Sequence, residues 1–296
     1  MRVNPNPYPE ILADVAQTQQ EIDTDELEIA TGLSVNVPSD NPAGAAELVQ
    51  NAQQSSQADQ FQRSIGSVQG EIQSADSTLN SVTTELQQAI NLGIEGANGT
   101  VNSSERQAII TQVQGIQSQL VSLANLTYQG NYVFAGTATQ TTPYVLDPSS
   151  SSGVTYQGNS GVNTVTLGNQ FSLQTNVPGS QLFSNSGNDM FQSIQDLITS
   201  LESDTGIGTA VAEVGSASSY INGQAVFYGN ALNQLTSQQT YLSSDTTELE
   251  QQQTTIAGVD LPNVISNLTT AQTSLTATLE AIGQTAQLNL FDYLNK

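Results

Sequence analysis

The sequence predicts a mainly α fold with a small β insert, in which long helices form an elongated bundle and the two chain ends pair as a coiled coil. Three observations predict it. Apolar residues recur every three or four positions over long stretches, one central segment alternates every second residue, and the terminal segments carry matching heptad repeats. Only 10% of the 296 residues are charged and 36% are hydrophobic, which is typical of long helices with polar faces.

Three long stretches in the body of the chain have the helical spacing. The first covers residues 61–89, the second 109–123 and the third 207–256. We expect Ser104 to cap the second helix, because Gln107 follows three residues later as in a capping box. Polar residues interrupt the seam in the second half of the third stretch, so we expect that half to be the most loosely packed unless another subunit covers it.

The two ends of the chain carry the heptad seams. Val15, Ile22 and Ile29 recur every seven residues near the start. The second seam follows a predicted helix start at Asp260 and Pro262 and consists of Leu261, Ile265, Leu268, Leu275, Leu279 and Ile282. We interpret both seams, together with Phe291, Tyr293 and Leu294, as an assembly interface in which the ends pair with each other and with neighbouring copies.

The segment from 130 to 187 alternates with period two and is rich in Gly, Ser and Asn, which predicts short strands and turns. Gly168-Asn169 reads as the turn of one hairpin. Phe191, Ile194, Ile198 and Leu201 then share one face of a short helix. The predicted domains are therefore a terminal coiled coil (1–40 with 259–296), a helical rod (41–130 with 205–258) and an outer β-rich domain (131–204).

The stretch "PSDNPAG" between two predicted helices is interpreted as a hinge rather than a ligand loop. Asn41 can cap the following helix, with Pro42 at its first position, where a missing N–H is tolerated. Pro38 keeps the residue before it extended, and Asp40 alone offers too few ligands for a metal. Gly44 completes the hinge segment.

Composition excludes several kinds of function. Four basic residues stand against 27 acidic ones, a net charge of −23, so binding to nucleic acid or to an anionic membrane surface is not expected. The chain has no Cys and no His, which removes thiol and imidazole chemistry, and no cofactor or metal motif is present. The remaining enzyme alternative is a carboxylate pair acting on glycans, for which Asp147 and Asp189 flank the β insert.

Several motifs together resemble one family. "TGLSVNVPSDNPAGAAELVQ" (31–50) resembles the segment that follows the first helix of flagellins. "LANLTYQGNYVFAGTATQTTPY" (123–144) is similar to the stretch where hook-filament junction proteins leave the helical core for the outer domain, and the ending from "VDLP" to "FDYL" is similar to their C-terminal helix. The sequence thus resembles bacterial flagellar hook-filament junction proteins, the third hook-associated proteins of the flagellin family.

This resemblance implies a structural adaptor, not an enzyme, that joins the flagellar hook region to the flagellin filament and assembles as a ring through its terminal helices. The implied partners are other copies of the chain, the neighbouring hook-associated junction protein, flagellin and a flagellar export chaperone. The implied location is the extracellular flagellum, reached by type III export without a cleaved signal peptide. The alternative within the family is flagellin itself, the filament subunit.

Overall fold

The computed structural model describes residues 8–168 and 171–294, and the side chains of residues 9–168 and 171–284. Within these ranges the fold is mainly helical with six short strands, as the sequence predicts. The helices are α1 (Tyr8–Thr31), α2 (Pro42–Gly96), α3 (Ser103–Ala124), α4 (Gly179–Leu182), α5 (Met190–Ser203), α6 (Ile207–Ala257) and α7 (Leu261–Leu294). The strands are β1 (Thr127–Tyr128), β2 (Asn131–Tyr132), β3 (Tyr144–Leu146), β4 (Val154–Tyr156), β5 (Thr164–Thr166) and β6 (Ser172–Gln174).

The chain divides into two units. Unit 1 consists of Met1–Gln57 with Ser244–Lys296, and unit 2 is Ala58–Ser243. Helices α2 and α6 each contribute residues to both units. The finer division into a terminal coiled coil, a rod and an outer domain stays a prediction.

One stripe of α2 forms the centre of unit 2. From Ile65 to Ala89 every position of the predicted seam is buried, and α3, α5 and α6 supply the residues around it. In the last turns of α2, side chains of α5 and α6 pack directly against the helix backbone, because a Cβ on Gly93 would lie 2.5 Å from Val211 Cγ2 and 3.0 Å from Leu197 Cδ1. Glycine at that position therefore permits the close packing of α2 against α5 and α6.

The N-terminus of α3 corrects one expectation. The cap residue is Asn102, whose side-chain oxygen accepts hydrogen bonds from the amides of Ser104 (3.0 Å) and Glu105 (2.9 Å). The Glu105 carboxylate accepts the Asn102 amide in return at 3.0 Å, which completes a capping box. The predicted cap at Ser104 is wrong because the overlapping capping frame that begins two residues earlier offers a charged acceptor, and a hydrogen bond to a carboxylate is stronger than one to a neutral amide.

The β insert is built from three separate antiparallel hairpins, β1-β2, β3-β4 and β5-β6. The hairpin predicted around Gly168 is confirmed: Val165 pairs with Leu173, and the Leu167 amide donates to the Phe171 carbonyl at 2.8 Å. Asn169 at its tip lies outside the described residues.

Tyr144 packs the second hairpin against the helices. Its ring is buried, with the centroid 4.9 Å from that of Phe191 on α5 and 5.9 Å from that of Phe183. The Asn125 side chain, just after α3, accepts the Tyr144 amide at 2.9 Å and donates to the Tyr144 carbonyl at 2.7 Å. These contacts give a hairpin of only three-residue strands a fixed position.

The described part of the chain contains no helix with the length and apolar character that crossing a membrane requires.

Burial along α2 predicts that two isoleucines of this helix contribute very differently to the free energy of unfolding. Ile72 is fully buried, whereas Ile94 is 59% exposed. We expect Ile72→Ala to lower the free energy of unfolding by about 2–5 kcal/mol, because it removes buried methyl groups and leaves a cavity. Urea unfolding followed by tyrosine fluorescence measures the change. The matched variant Ile94→Ala is expected to change it by less than about 0.5 kcal/mol, and equal effects of the two variants would contradict this description of the core.

Candidate assembly interface

Helices α1 and α7 pack against each other in unit 1. Their connections are joined by backbone hydrogen bonds, since Leu33 and Gly258 form an antiparallel bridge and the Ser34 amide donates to the Ala257 carbonyl at 2.7 Å. The end of α1 and the start of α7 meet at this bridge, so the packed helices run in opposite directions. The chain ends therefore pair, as the heptad seams predict.

The α1 side of the pair follows the predicted seam. Ile22 is buried, and Val15 and Ile29 are half-buried. The half-buried positions between them include Thr18 and Asp25, so the seam alternates apolar and polar side chains. Such a seam buries less apolar surface than one made only of Leu and Ile, and the hydrophobic gain is correspondingly small.

The α7 side has two apolar stripes, of which the pair covers one. The covered stripe consists of Val264, Leu268, Ala271, Leu275, Thr278 and Ile282, which are buried or half-buried. Leu268, Leu275 and Ile282 belong to the predicted seam, whereas Leu261, Ile265 and Leu279 of that seam are exposed. Ile265 is 51% and Leu279 is 52% exposed. We call Leu261, Ile265 and Leu279 the open stripe of α7.

Sequence reasoning missed Val264, Ala271 and Thr278. The signal was available, because steps of four and three from Leu268 reach Val264 and Ala271 as readily as Ile265 and Gln272. The predicted residues Phe291, Tyr293 and Leu294 belong to α7, but their side chains lie outside the described residues.

The charges of the two helices differ strongly. Helix α1 carries seven acidic residues, namely Glu10, Asp14, Glu21, Asp23, Asp25, Glu26 and Glu28, and no basic residue. Helix α7 carries only Glu280 and Asp292 over 34 residues. Partial burial, followed by the nearby charges of Asp25 and Asp40, raises the pKa of Glu28. Repulsion is thus concentrated on α1, and α7 presents an almost uncharged surface.

The threonines of α7 bond to their own helix. Each of five hydroxyl groups donates to the carbonyl four residues earlier, at 2.8–2.9 Å: Thr269 to Ile265, Thr270 to Ser266, Thr273 to Thr269, Thr276 to Gln272 and Thr278 to Ser274. The hydroxyl donors of these five threonines are therefore satisfied within the helix itself.

The predicted hinge segment has a defined geometry between α1 and α2. The Asp40 carboxylate accepts the amides of Asn36 (3.0 Å) and Val37 (2.9 Å), and the Asn41 side chain accepts the amide of Gly44 at 3.0 Å. Asn41 is thus the cap of α2, with Pro42 as its first residue.

Gly44 is also required by packing within unit 1, since a Cβ there would lie 2.6 Å from Asn41 Nδ2 and 3.0 Å from Ile256 Cγ2. The exposed Pro38 precedes this turn. Its action as a hinge stays a prediction.

The two carboxylates considered for glycan chemistry hold local structure. Hydrogen bonds from Ser149 and Thr155 lower the pKa of Asp147, and its carboxylate accepts the hydroxyl groups of both residues. Asp189 caps α5 by accepting the Gln192 amide at 2.9 Å, and burial raises its pKa. Among the described residues no group of three or more acidic side chains is placed to hold a metal ion.

Comparison with known proteins identifies what this arrangement is similar to. Residues 6–139, which include α1, α2, α3 and the first hairpin, match the family model of the bacterial flagellin N-terminal helical region. The resemblance to the flagellin family is confirmed. Flagellar hook-associated protein 3 of Escherichia coli is 34% identical over 118 residues, which are 40% of this chain and 37% of that protein. The Salmonella typhimurium protein of the same name is 31% identical over 138 residues, 46% of this chain and 44% of its own length.

The flagellin-like helical fold is also found among solved structures. FlgL of Bacillus cereus superimposes with a TM-score of 0.60 at 21% identity, covering 69% of this chain and 99% of that one. The chain therefore spans less than half of the length of the two curated relatives but shares the helical fold over most of its own. The two curated relatives are named as flagellar hook-associated proteins, in agreement with the prediction that the chain is a structural protein and not an enzyme.

The cap at Asn41 can be tested directly. We expect Asn41→Ala to destabilise the first turn of α2 by about 1 kcal/mol, because the Gly44 amide loses its acceptor. Hydrogen exchange at Gly44 measures this loss and is expected to accelerate. The matched variant Asn41→Asp retains an acceptor and is expected to protect Gly44 as the natural residue does. An unchanged exchange rate in Asn41→Ala would show that the cap contributes nothing.

Proposed function

We propose that this chain is a structural adaptor of the bacterial flagellum that joins the hook region to the flagellin filament and assembles as a ring through its paired terminal helices. Its partners in this proposal are other copies of itself, the neighbouring hook-associated junction protein and flagellin, with a chaperone during type III export. The similarity to hook-associated protein 3 supports the flagellar role.

The open stripe of α7 is the observation that carries the assembly proposal. Leu261, Ile265 and Leu279 lie on a helix that is already paired with α1, yet they are 41–52% exposed. They recur at heptad-compatible spacing, so one further helix can cover them by the packing that covers Val264 and Leu268. A helix that presents two adjacent apolar stripes is suited to contact its own chain and a neighbouring subunit at once.

The charge distribution supports the same arrangement. A chain with net charge −23 repels its own copies, and only a nearly neutral surface lets copies approach closely. Helix α7 provides that surface, with two acidic residues in 34 positions. Helix α1, which carries seven, is better placed away from the neighbouring copy.

Charged substitutions in the open stripe distinguish an effect on assembly from an effect on folding. We expect Ile265→Asp and Leu279→Asp to preserve the helicity of the isolated chain and each to lower its free energy of unfolding by about 1 kcal/mol or less, because half of each side chain is already exposed and Asp is only a moderately poorer helix former. The same variants are expected to abolish filament attachment and swimming in cells whose natural protein is replaced, since a buried unpaired charge opposes assembly. Electron microscopy and motility in soft agar measure the outcome.

Thr273→Asp provides the matched control, because Thr273 lies on the opposite side of α7 from the covered stripe. It is expected to preserve swimming. Attached filaments and normal motility in the Ile265→Asp, Leu279→Asp double variant would exclude the open stripe as an assembly surface.

Polymerisation distinguishes the adaptor from flagellin. Purified chain added to filament seeds is expected to bind the seed end and stop, because an adaptor ring has different partners above and below. Cells lacking the chain are expected to carry bare hooks and to shed flagellin into the medium. Continuous growth of filaments from purified chain, measured by light scattering and electron microscopy, would identify the chain as the filament subunit instead.

A further inference from the structure

Unit 2 contains a groove lined mostly by polar residues. It lies where α2 passes the β insert and has a volume of about 350 Å³. Glu71 and Ser67 of α2 line one side. Tyr128, Gln129, Asn131 and Tyr132 of the first hairpin, with Asn163, Val165 and Thr175 of the third, line the other.

Glu71 is the unusual residue of this groove. Its side chain is half-buried, and burial raises its pKa. Within the described part of the chain its carboxylate has neither a hydrogen-bond donor nor an ion-pair partner. By contrast, two other carboxylates accept hydrogen bonds: that of Glu105 in the first turn of α3 and that of Asp147 just after β3. A partly desolvated carboxylate without a donor is costly, so a ligand that supplies positive charge would be favoured there.

The other walls suit a flat cation. Two tyrosine rings line the groove, and aromatic rings attract guanidinium and ammonium groups. The Tyr128 hydroxyl lies against Gly70, where a side chain would collide with it, so the ring rests close to α2. Asn131 also lines the groove, and its side-chain oxygen accepts one hydrogen bond, from Gln140 at 2.6 Å.

We propose that this groove binds an arginine side chain presented by an adjoining protein subunit. The guanidinium is planar, always charged, and carries five N–H donors, so it can pair with a carboxylate, stack on a tyrosine ring and donate to amide oxygens at the same time. A lysine ammonium offers a single point of charge and cannot stack. A neutral sugar would satisfy the amides and the rings but would leave the Glu71 charge uncompensated.

The source of the arginine is a neighbouring subunit, because neither arginine that the structure describes occupies the groove: Arg63 and Arg106 are both absent from its lining. Of its four basic residues, Arg106 is already paired with Asp204 at 2.8 Å. The negative charge of the whole chain also draws a cationic partner segment towards the groove. This inference rests on the proposed function, which supplies the adjoining subunit, but the groove itself can be tested on the isolated chain.

The experiment follows NMR resonances of the full-length chain with ¹³C-labelled tyrosine rings and uses two small probes whose amino and carboxyl ends are blocked and uncharged. N-acetyl-arginine amide carries the guanidinium, and N-acetyl-citrulline amide has the same shape without the charge. The Tyr128 and Tyr132 resonances, assigned with Tyr→Phe variants, are expected to shift with the arginine probe. We expect binding of the citrulline probe to be about tenfold weaker or absent, because it cannot form the charged pair.

Variants identify the groove as the binding site. Glu71→Gln is expected to weaken binding of the arginine probe about tenfold, whereas Asp59→Asn, an exposed acid on the same helix outside the groove, is expected to leave it unchanged. Equal binding of both probes, or unchanged binding in Glu71→Gln, would overturn the proposal. So would the absence of any shift at Tyr128 and Tyr132 in the unmodified chain, a result that would not affect the proposed adaptor function.

Discussion

Burial of the α2 stripe from Ile65 to Ala89 is the interaction on which the rest of unit 2 depends. Every seam position is covered, and the core cluster around it takes residues from α3, α5, α6 and the hairpins. The hairpin strands are only two or three residues long and are not stable as isolated elements. They hold their positions because aromatic residues such as Tyr144 pack onto the helices. The helical core therefore fixes the β insert, and the groove beside Glu71 follows from that placement.

The paired ends are held by a much weaker seam. Ile22 and Val264 are buried, but most seam residues of α1 and α7 are half-buried, and Thr18 and Asp25 occupy seam positions. Little apolar burial is available to offset the conformational entropy of ordering two long helices. The proposed adaptor function explains the weak pairing of α1 and α7, because further apolar surface is covered only when a neighbouring subunit adds its own helix. In that proposal the isolated ends and the assembled ends differ greatly in stability.

Sequence reasoning predicted the elements whose pattern was unambiguous. The α2 seam was identified residue by residue, because no second stripe competes with it, and the single apolar face of α5 was identified for the same reason. The third hairpin was identified because its alternating residues flank a Gly-Asn turn. On α7 the pattern was ambiguous, since Leu268 and Leu275 fit both the predicted seam and the covered stripe, and the larger side chains Ile265 and Leu279 favoured the positions that the pair leaves exposed. The prediction of the α3 cap failed because two capping frames overlap, one beginning at Asn102 and the other at Ser104. The groove at Glu71 was invisible in the sequence, since its walls lie up to about 100 positions apart along the chain.

The threonine hydroxyls of α7 explain how so polar a helix can enter a dry interface. Removing water from a hydroxyl group is expensive when its proton has nowhere to go. Here each of the five hydroxyl groups already donates to a carbonyl of the preceding turn, so none of these donors loses its partner when water leaves. In the proposed assembly, the threonines beside the open stripe therefore cost little to dehydrate, although the helix looks hydrophilic in its composition.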